Sequence, residues 1–412
     1  MKESGPTTDT ASGSRVLSEG SVSCYGGKIM KTAFIISSAD LEGTRLEFAK
    51  EYIESKGYQV EMISCDFNHR RKKYFISDIP WCKQIHVRPY KKNLSVPRLL
   101  SHLDFGKGIY KYLSGLKQEP ELIYAKTPPN SVFKYVAKYK REHPKVKVVF
   151  DIFDMWPETF PIRKLKTVLA LPFRIWAGFR NRYIGCADAI IAECDLFRER
   201  VDDILETRGI DLRAATVYYG DTAAGNPVCN APDIEQEVRL CYVGRINNVI
   251  DIPYIAALAK GIAADRKVVV EIIGDGERKK ELTAALKTAG AEVICHGTVY
   301  DEGRKQEIMG GCHFGLNIVR EGTFIGLTMK SVDYLKFSLP LINKGAADTD
   351  RLIKSLEIGI RADSIEETVQ AVCNTGNANM AAFRRNAGAA FEMLFEKSVI
   401  LVAYEEAIGD LI

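Results

Sequence analysis

Short continuous apolar runs, rich in Val, Ile and Phe, alternate along the chain with stretches of helical period. The first covers residues 32–36 and is followed by an amphipathic stretch at 44–56. Further runs lie at 59–64, 84–88, 121–124, 147–150, 189–192 and 215–219. Continuous rather than alternating, and bounded by turns, they predict parallel strands covered by helices on both faces. Residues 221–237 are rich in Ala, Pro, Asn and Gly and predict a linker. The pattern then restarts at 239–243, 267–273, 292–295, 314–319 and 340–342. Two such series predict an α/β protein of two doubly wound, Rossmann-like domains, at 30–220 and 238–396. Ligands of such sheets sit beyond the carboxyl ends of the strands, so the loops there are where chemistry is expected.

Composition narrows the class without naming a reaction. A chain of 412 residues exceeds a single core, which stops growing near 250–300 residues. No apolar run approaches the ~20 residues that span a bilayer. Residues 1–29 are rich in Ser, Gly and Thr and lack the apolar centre of a signal peptide. They read as a disordered extension, with Met30 itself a candidate start, and the expected location is cytoplasmic. The ten cysteines form no CxxC pair and no Cys/His metal spacing. They are expected to be buried reduced thiols in a reducing compartment, with no bound metal. Charge is uneven: residues 1–225 carry 36 Lys and Arg against 27 Asp and Glu, residues 226–412 carry 21 against 26. The basic first half suits an anionic partner. No aromatic-interleaved basic stripe supports nucleic acid.

Four loops could carry chemistry. Gly244-Arg245 follows the strand at 239–243, where a glycine admits a ligand to the backbone and an arginine suits a diphosphate. Gly274-Asp275-Gly276 ends the strand at 267–273 and opens a helix expected at 277–287, presenting amides to an anion. In the segment from Glu321 to Tyr334, Thr328 can cap a helix whose first turn puts Lys330 and Asp333 on one face. Lys330 would attract phosphate and Asp333 would accept from ribose hydroxyls, with Gly322 and Gly326 letting the loop fold round a ligand. In the first half, Gly43 lies in a loop that opens the helix at 44–56. Asp151, Asp154, Trp156 and Glu158 follow the strand at 147–150, where carboxylates and an indole suit sugar hydroxyls and ring faces. Each loop has a plainer reading as a tight turn, a solvated ion pair or, at Trp156-Pro157, a rigid corner.

These loops, in this order, resemble family-four glycosyltransferases of the GT-B fold, especially bacterial enzymes of capsule and exopolysaccharide assembly. The similarity runs from Met30 to the C-terminus. It implies donor phosphate at Gly244 and Arg245, a donor loop at Gly274, Asp275 and Gly276, diphosphate at Lys330 and ribose at Asp333. It implies an acceptor-side loop at Asp151, Asp154, Trp156 and Glu158, and a final helix at 397–412 crossing back onto the first domain. The chain departs from the pattern in three places. The lysine expected about five residues after Gly-Arg is replaced by Asn247-Asn248-Val249-Ile250. The glutamate eight positions before the ribose-binding acid is Ile325, with Glu321 the nearest candidate. The acceptor-loop histidine is missing, with Asp154 as the stand-in.

What the resemblance implies is transfer of a sugar from a nucleotide diphosphate sugar to a glycan, with retained configuration. Arg245, Lys330 and Asp154 are the catalytic candidates, with protein charge in place of a metal and no other cofactor. Residues 162–184 interleave six Arg and Lys with Leu, Val, Phe and Trp, suiting either an anionic membrane surface or a core-packed helix with snorkelling bases. A lipid-linked acceptor at the inner face of the plasma membrane follows from the first of these. The alternatives are a non-catalytic nucleotide-sugar-binding partner of another transferase and a nucleotide-sugar epimerase. A nicotinamide-dependent oxidoreductase is disfavoured by the lack of GxGxxG.

Overall fold

A computed structural model describes residues 31–39, 44–160, 170–223 and 229–412. The apolar runs become two all-parallel sheets. The first has seven strands, in the spatial order Cys82–Ile85, Tyr58–Cys65, Lys31–Ile36, Leu122–Thr127, Lys147–Ile152, Ala189–Ala192, Ala214–Thr216. The second has six: Glu292–Gly297, Lys267–Ile273, Glu237–Val243, Phe314–Ile318, Leu341–Lys344, Gly359–Arg361. Central strands are buried along nearly their whole length, as Lys147–Ile152 and Lys267–Ile273 show, because helices cover both faces. In each sheet the chain first builds outward on one side of its opening strand and then returns to the other side. The reversal opens a crevice between Lys31–Ile36 and Leu122–Thr127 in one sheet. In the other it lies between Glu237–Val243 and Phe314–Ile318.

The helix Lys397–Ile408 lies on the first domain, against the helix Thr44–Ser55. Ile400, Tyr404 and Ile408 share a buried cluster with Leu46, Phe48 and Tyr52, and the Tyr52 and Tyr404 rings stack at 5.7 Å. Lys397 pairs with Glu51 at 2.7 Å. A second link between the domains runs through the helix Asp195–Thr207. The Leu196 amide donates to Asp348 Oδ2 at 3.1 Å, Arg351 forks onto Glu199 at 2.7 and 2.8 Å, and Phe197 stacks on Phe324.

Several elements differ from their sequence expectation. The strand Gly359–Arg361 and the hairpin Phe67–Asn68/Lys73–Tyr74 are too short to give a periodic signal. Residue 237 already belongs to a strand rather than the linker. The helix expected at 277–287 starts two residues later, at Lys279–Thr288. The extension 1–29, Gly43 and residues 161–169 of the basic-aromatic stretch lie outside the described residues. No helix among the described residues is long and apolar enough to cross a membrane.

Candidate functional site

The crevice of the second domain gathers most of the loops singled out in the sequence. Gly244, at φ +109°, has open space where a Cβ would stand. Arg245 follows it, 70% exposed, with Glu277 Oε2 3.4 Å away. Thr328 adopts an extended conformation, and its hydroxyl accepts from the Ser331 amide at 3.2 Å, capping the helix Met329–Lys336. That hydroxyl also bonds to Asn317 and Ser331, so Thr328 acts by setting the helix start rather than by offering a free group. Among the described residues the Met329 and Lys330 amides have no protein acceptor, as expected for a helix N-terminus. Lys330 Nζ sits 4.6 Å from the Tyr242 ring centroid, and burial pulls its pKa down to about 8. Asp333, one turn on, is half-buried; burial, with Asp221 and Glu302 adding repulsion, lifts its carboxyl to about 6. Glu321 is exposed.

Two glycine loops have a different reason from the one the sequence suggested. A Cβ on Gly274 would stand 2.0 Å from Gly244 O, and one on Gly276 would stand 2.2 Å from Ile246 O. These glycines let two strand-end loops cross. Their amides are already used, Gly274 N donating to Gly297 O and Gly276 N to Asp275 Oδ1, each at 2.7 Å. The expectation of free amides at Gly274 and Gly276 is therefore corrected. Gly326 likewise serves the domain contact, since a Cβ there would meet Asp348 Oδ2 at 1.9 Å and Cys194 Sγ at 2.6 Å.

The crevice of the first domain deepens into a cavity of about 220 Å³. Ser37 and Ser38 from one side of the strand reversal and Pro128 and Pro129 from the other form part of its wall. Met329, the first residue of the capped helix, lines it from the second domain, so cavity and second crevice adjoin. Asp154 and Trp156 line it as expected. The Trp156 indole N–H donates to Asp154 Oδ2 and the Thr159 hydroxyl to Oδ1, both at 2.6 Å, while burial raises the Asp154 pKa.

Asp151 and Glu158 are not brought to this cavity. Asp151 is fully buried, bridged by Arg45 at 2.7 Å and by the Tyr124 hydroxyl at 2.7 Å. Arg45 also donates to Val217 O, and Tyr404 of the crossing helix closes the network on Tyr124 and on the Arg45 carbonyl. Glu158 accepts from Arg180, whose side chain is buried. Both carboxylates hold the scaffold, and Arg180 is removed from the bases expected to face a membrane.

Sequence reasoning missed the groups that give the cavity its charge. Arg98 enters from the helix Val96–Leu113, His69 and Arg70 from the turn of the short hairpin, and Lys126 from a strand end. Arg98 is 6% exposed and lies 4.1 Å from the Trp156 ring centroid. Burial and then the surrounding cations hold His69 down to about 4. Behind the cavity Glu193, buried just after the strand Ala189–Ala192, is pushed up to about 8 by burial, with Asp154 and Asp151 adding to the rise. The run His69-Arg70-Arg71-Lys72-Lys73 is visible in the sequence as charge. Its place at a cleft depends on a hairpin with two residues in each strand.

No protein-family model and no curated protein matches this sequence. Solved structures do resemble the fold. HepE of Anabaena, in complex with UDP and glucose, is 14% identical at a TM-score of 0.61, covering 92% of this chain and 100% of that one. The lipopolysaccharide outer core galactosyltransferase WaaB, in its apo form, is 16% identical at 0.60, covering 93% and 100%. OtsA, also apo, is 10% identical at 0.64, covering 92% and 99%. At these identities the likeness establishes the fold: two Rossmann-like domains facing each other in the GT-B arrangement.

Proposed function

We propose that the protein is a glycosyltransferase that moves a sugar from a nucleotide diphosphate sugar to an acceptor held in the first domain. The observation that carries this reading is the juxtaposition of two strand-reversal crevices. One presents Gly244, Arg245, Lys330 and a capped helix start; the other contains a cavity lined in part by the first residue of that same helix. A diphosphate at the helix start would meet free amides, the positive helix end and two cations. Charge gathering on the departing diphosphate would be stabilised by groups already in place, without a metal. Asp333 would accept from the ribose. The bound UDP and glucose of HepE support a nucleotide-sugar donor on this fold. The resemblance to family-four glycosyltransferases implies retention of configuration and a glycan acceptor of surface polysaccharide assembly, and the basic first half with the stretch at 162–184 suits a lipid-linked acceptor at the inner membrane face.

A non-catalytic nucleotide-sugar-binding role keeps one observation in its favour, the uncharged stretch Asn247-Asn248-Val249-Ile250 beside Arg245. Turnover separates the two readings. Incubated with UDP- and GDP-sugars, the protein is expected to release nucleoside diphosphate, at a rate at least tenfold lower in Lys330→Ala. Binding of a nucleotide sugar with no release, with or without added glycan acceptors, would leave the non-catalytic role.

A further inference from the structure

The cavity of the first domain has a charge balance that a neutral sugar would not call for. Among the described residues its charged wall carries Arg45, Arg70, Arg98, Lys126 and Asp154, four cations to one carboxylate, of which Arg70 already has an interaction partner. Arg45 is neutralised by Asp151. Asp154 already accepts two hydrogen bonds. Arg98 and Lys126 have no carboxylate within ion-pair distance among the described residues, and each faces an aromatic ring instead, Trp156 and Phe153. Burial lowers the pKa of both. Two buried nitrogens on this wall, Arg98 Nε and His102 Nδ1, have no hydrogen-bond partner. A guanidinium 94% removed from solvent with an open donor is costly unless something accepts from it. The space exceeds the roughly 150 Å³ that admits a benzene ring, so a ligand rather than a lone water fits it.

We propose that this cavity seats an anionic group of the acceptor, a phosphate ester, on Arg98 and Lys126, with a sugar or alcohol portion turned past Trp156 and Asp154 toward Met329. The proposal rests on the glycosyltransferase reading for the word acceptor; the anion site itself does not. A planar fork is suited to two phosphate oxygens. The unpartnered Nε would then be satisfied, and the burial that depresses Arg98 would be offset by the ligand's charge. Asp154, kept from direct contact with the anion by its own two donors, would be left to face a hydroxyl.

The test is tryptophan fluorescence of the full chain, since Trp156 stacks on the residue that would bind. Titrants are hexose 6-phosphates, hexose 1-phosphates, the same hexoses without phosphate, inorganic phosphate, and phosphatidylglycerol or phosphatidylcholine vesicles. A saturable change with a phosphorylated hexose, at least tenfold tighter than its neutral counterpart and competed by inorganic phosphate, assigns a soluble phosphate ester. A response confined to phosphatidylglycerol vesicles assigns a lipid-borne phosphate. Arg98→Ala should weaken the response at least tenfold. Lys126→Met, at the edge of the wall, serves as second variant if the first does not fold. Equal binding of neutral and phosphorylated hexoses, no response to any titrant, or unchanged affinity in the variants would overturn the proposal. UDP-induced thermal stabilisation, measured in parallel, should survive Arg98→Ala. Its absence in the unmutated protein would remove the donor reading while leaving the anion site to stand or fall on its own titration.

Discussion

At the scale of single residues, buried charge does two jobs here. The Arg45–Asp151 pair is buried at the cavity wall and held by Tyr124, by the Val217 carbonyl and by Tyr404 on the Arg45 carbonyl. Removing one partner strands the other, so Arg45→Ala or Asp151→Ala should cost about 3–5 kcal/mol, read as a lowered urea midpoint. Glu193 behaves differently. Facing Arg45, Lys126, Asp154 and Asp151, it keeps its proton to about 8 in the fold, whereas the unfolded chain releases it near 4.5. Its contribution to stability is therefore fully present at low pH and declines as pH rises between those values, by at most about 1.4 kcal/mol per pH unit. Glu193→Gln should flatten that decline in urea midpoints taken from pH 5 to 8; an unchanged slope would contradict the assignment. In the second crevice, Lys330 loses its charge above about 8 and Asp333 gains a proton below about 6. UDP or GDP affinity is expected to be greatest between these limits, falling above through Lys330 and below through Asp333. The alkaline fall should vanish in Lys330→Ala.

At the scale of elements, the strands were legible because β-branched runs buried on both faces need no partner pattern to be recognised. Ala189–Ala192 and Lys267–Ile273 match their expected bounds. So was the cap at Thr328, since a hydroxyl before a helical period has one economical use there. Its removal in Thr328→Ala should cost about 1 kcal/mol and weaken nucleotide binding, because the helix start would fray. The loop at Gly274–Gly276 was legible as a loop, but the free amides expected there are already used. The sequence cannot tell a glycine needed for a ligand from one needed for another strand end, and Gly274 and Gly276 are of the second kind. Gly326 belongs to the domain contact, and Gly326→Ala should lower the melting temperature by several degrees as Asp348 and Cys194 are forced apart. The cavity was legible only at Asp154 and Trp156: Arg98, His69 and Lys126 come from a helix, the turn of a hairpin with two residues in each strand, and a strand end, and only the fold brings them together.

At the scale of the molecule, the crossing helix and the Arg351–Glu199 fork tie the domains so that two strand-reversal crevices adjoin. Met329 belongs to both, as first residue of the Thr328-capped helix and as wall of the opposite cavity. In the proposed reading, that shared position would give donor and acceptor a common boundary, which a transfer reaction needs. It also makes the donor crevice the claim on which the rest of the functional account depends. Calorimetric titration of the full chain with UDP and GDP, beside Arg245→Ala and Lys330→Ala, tests it most directly. Saturable binding of one nucleoside diphosphate, weakened tenfold or more in each variant, is the predicted result. Absence of binding to both nucleotides, or binding that neither substitution weakens, would contradict it.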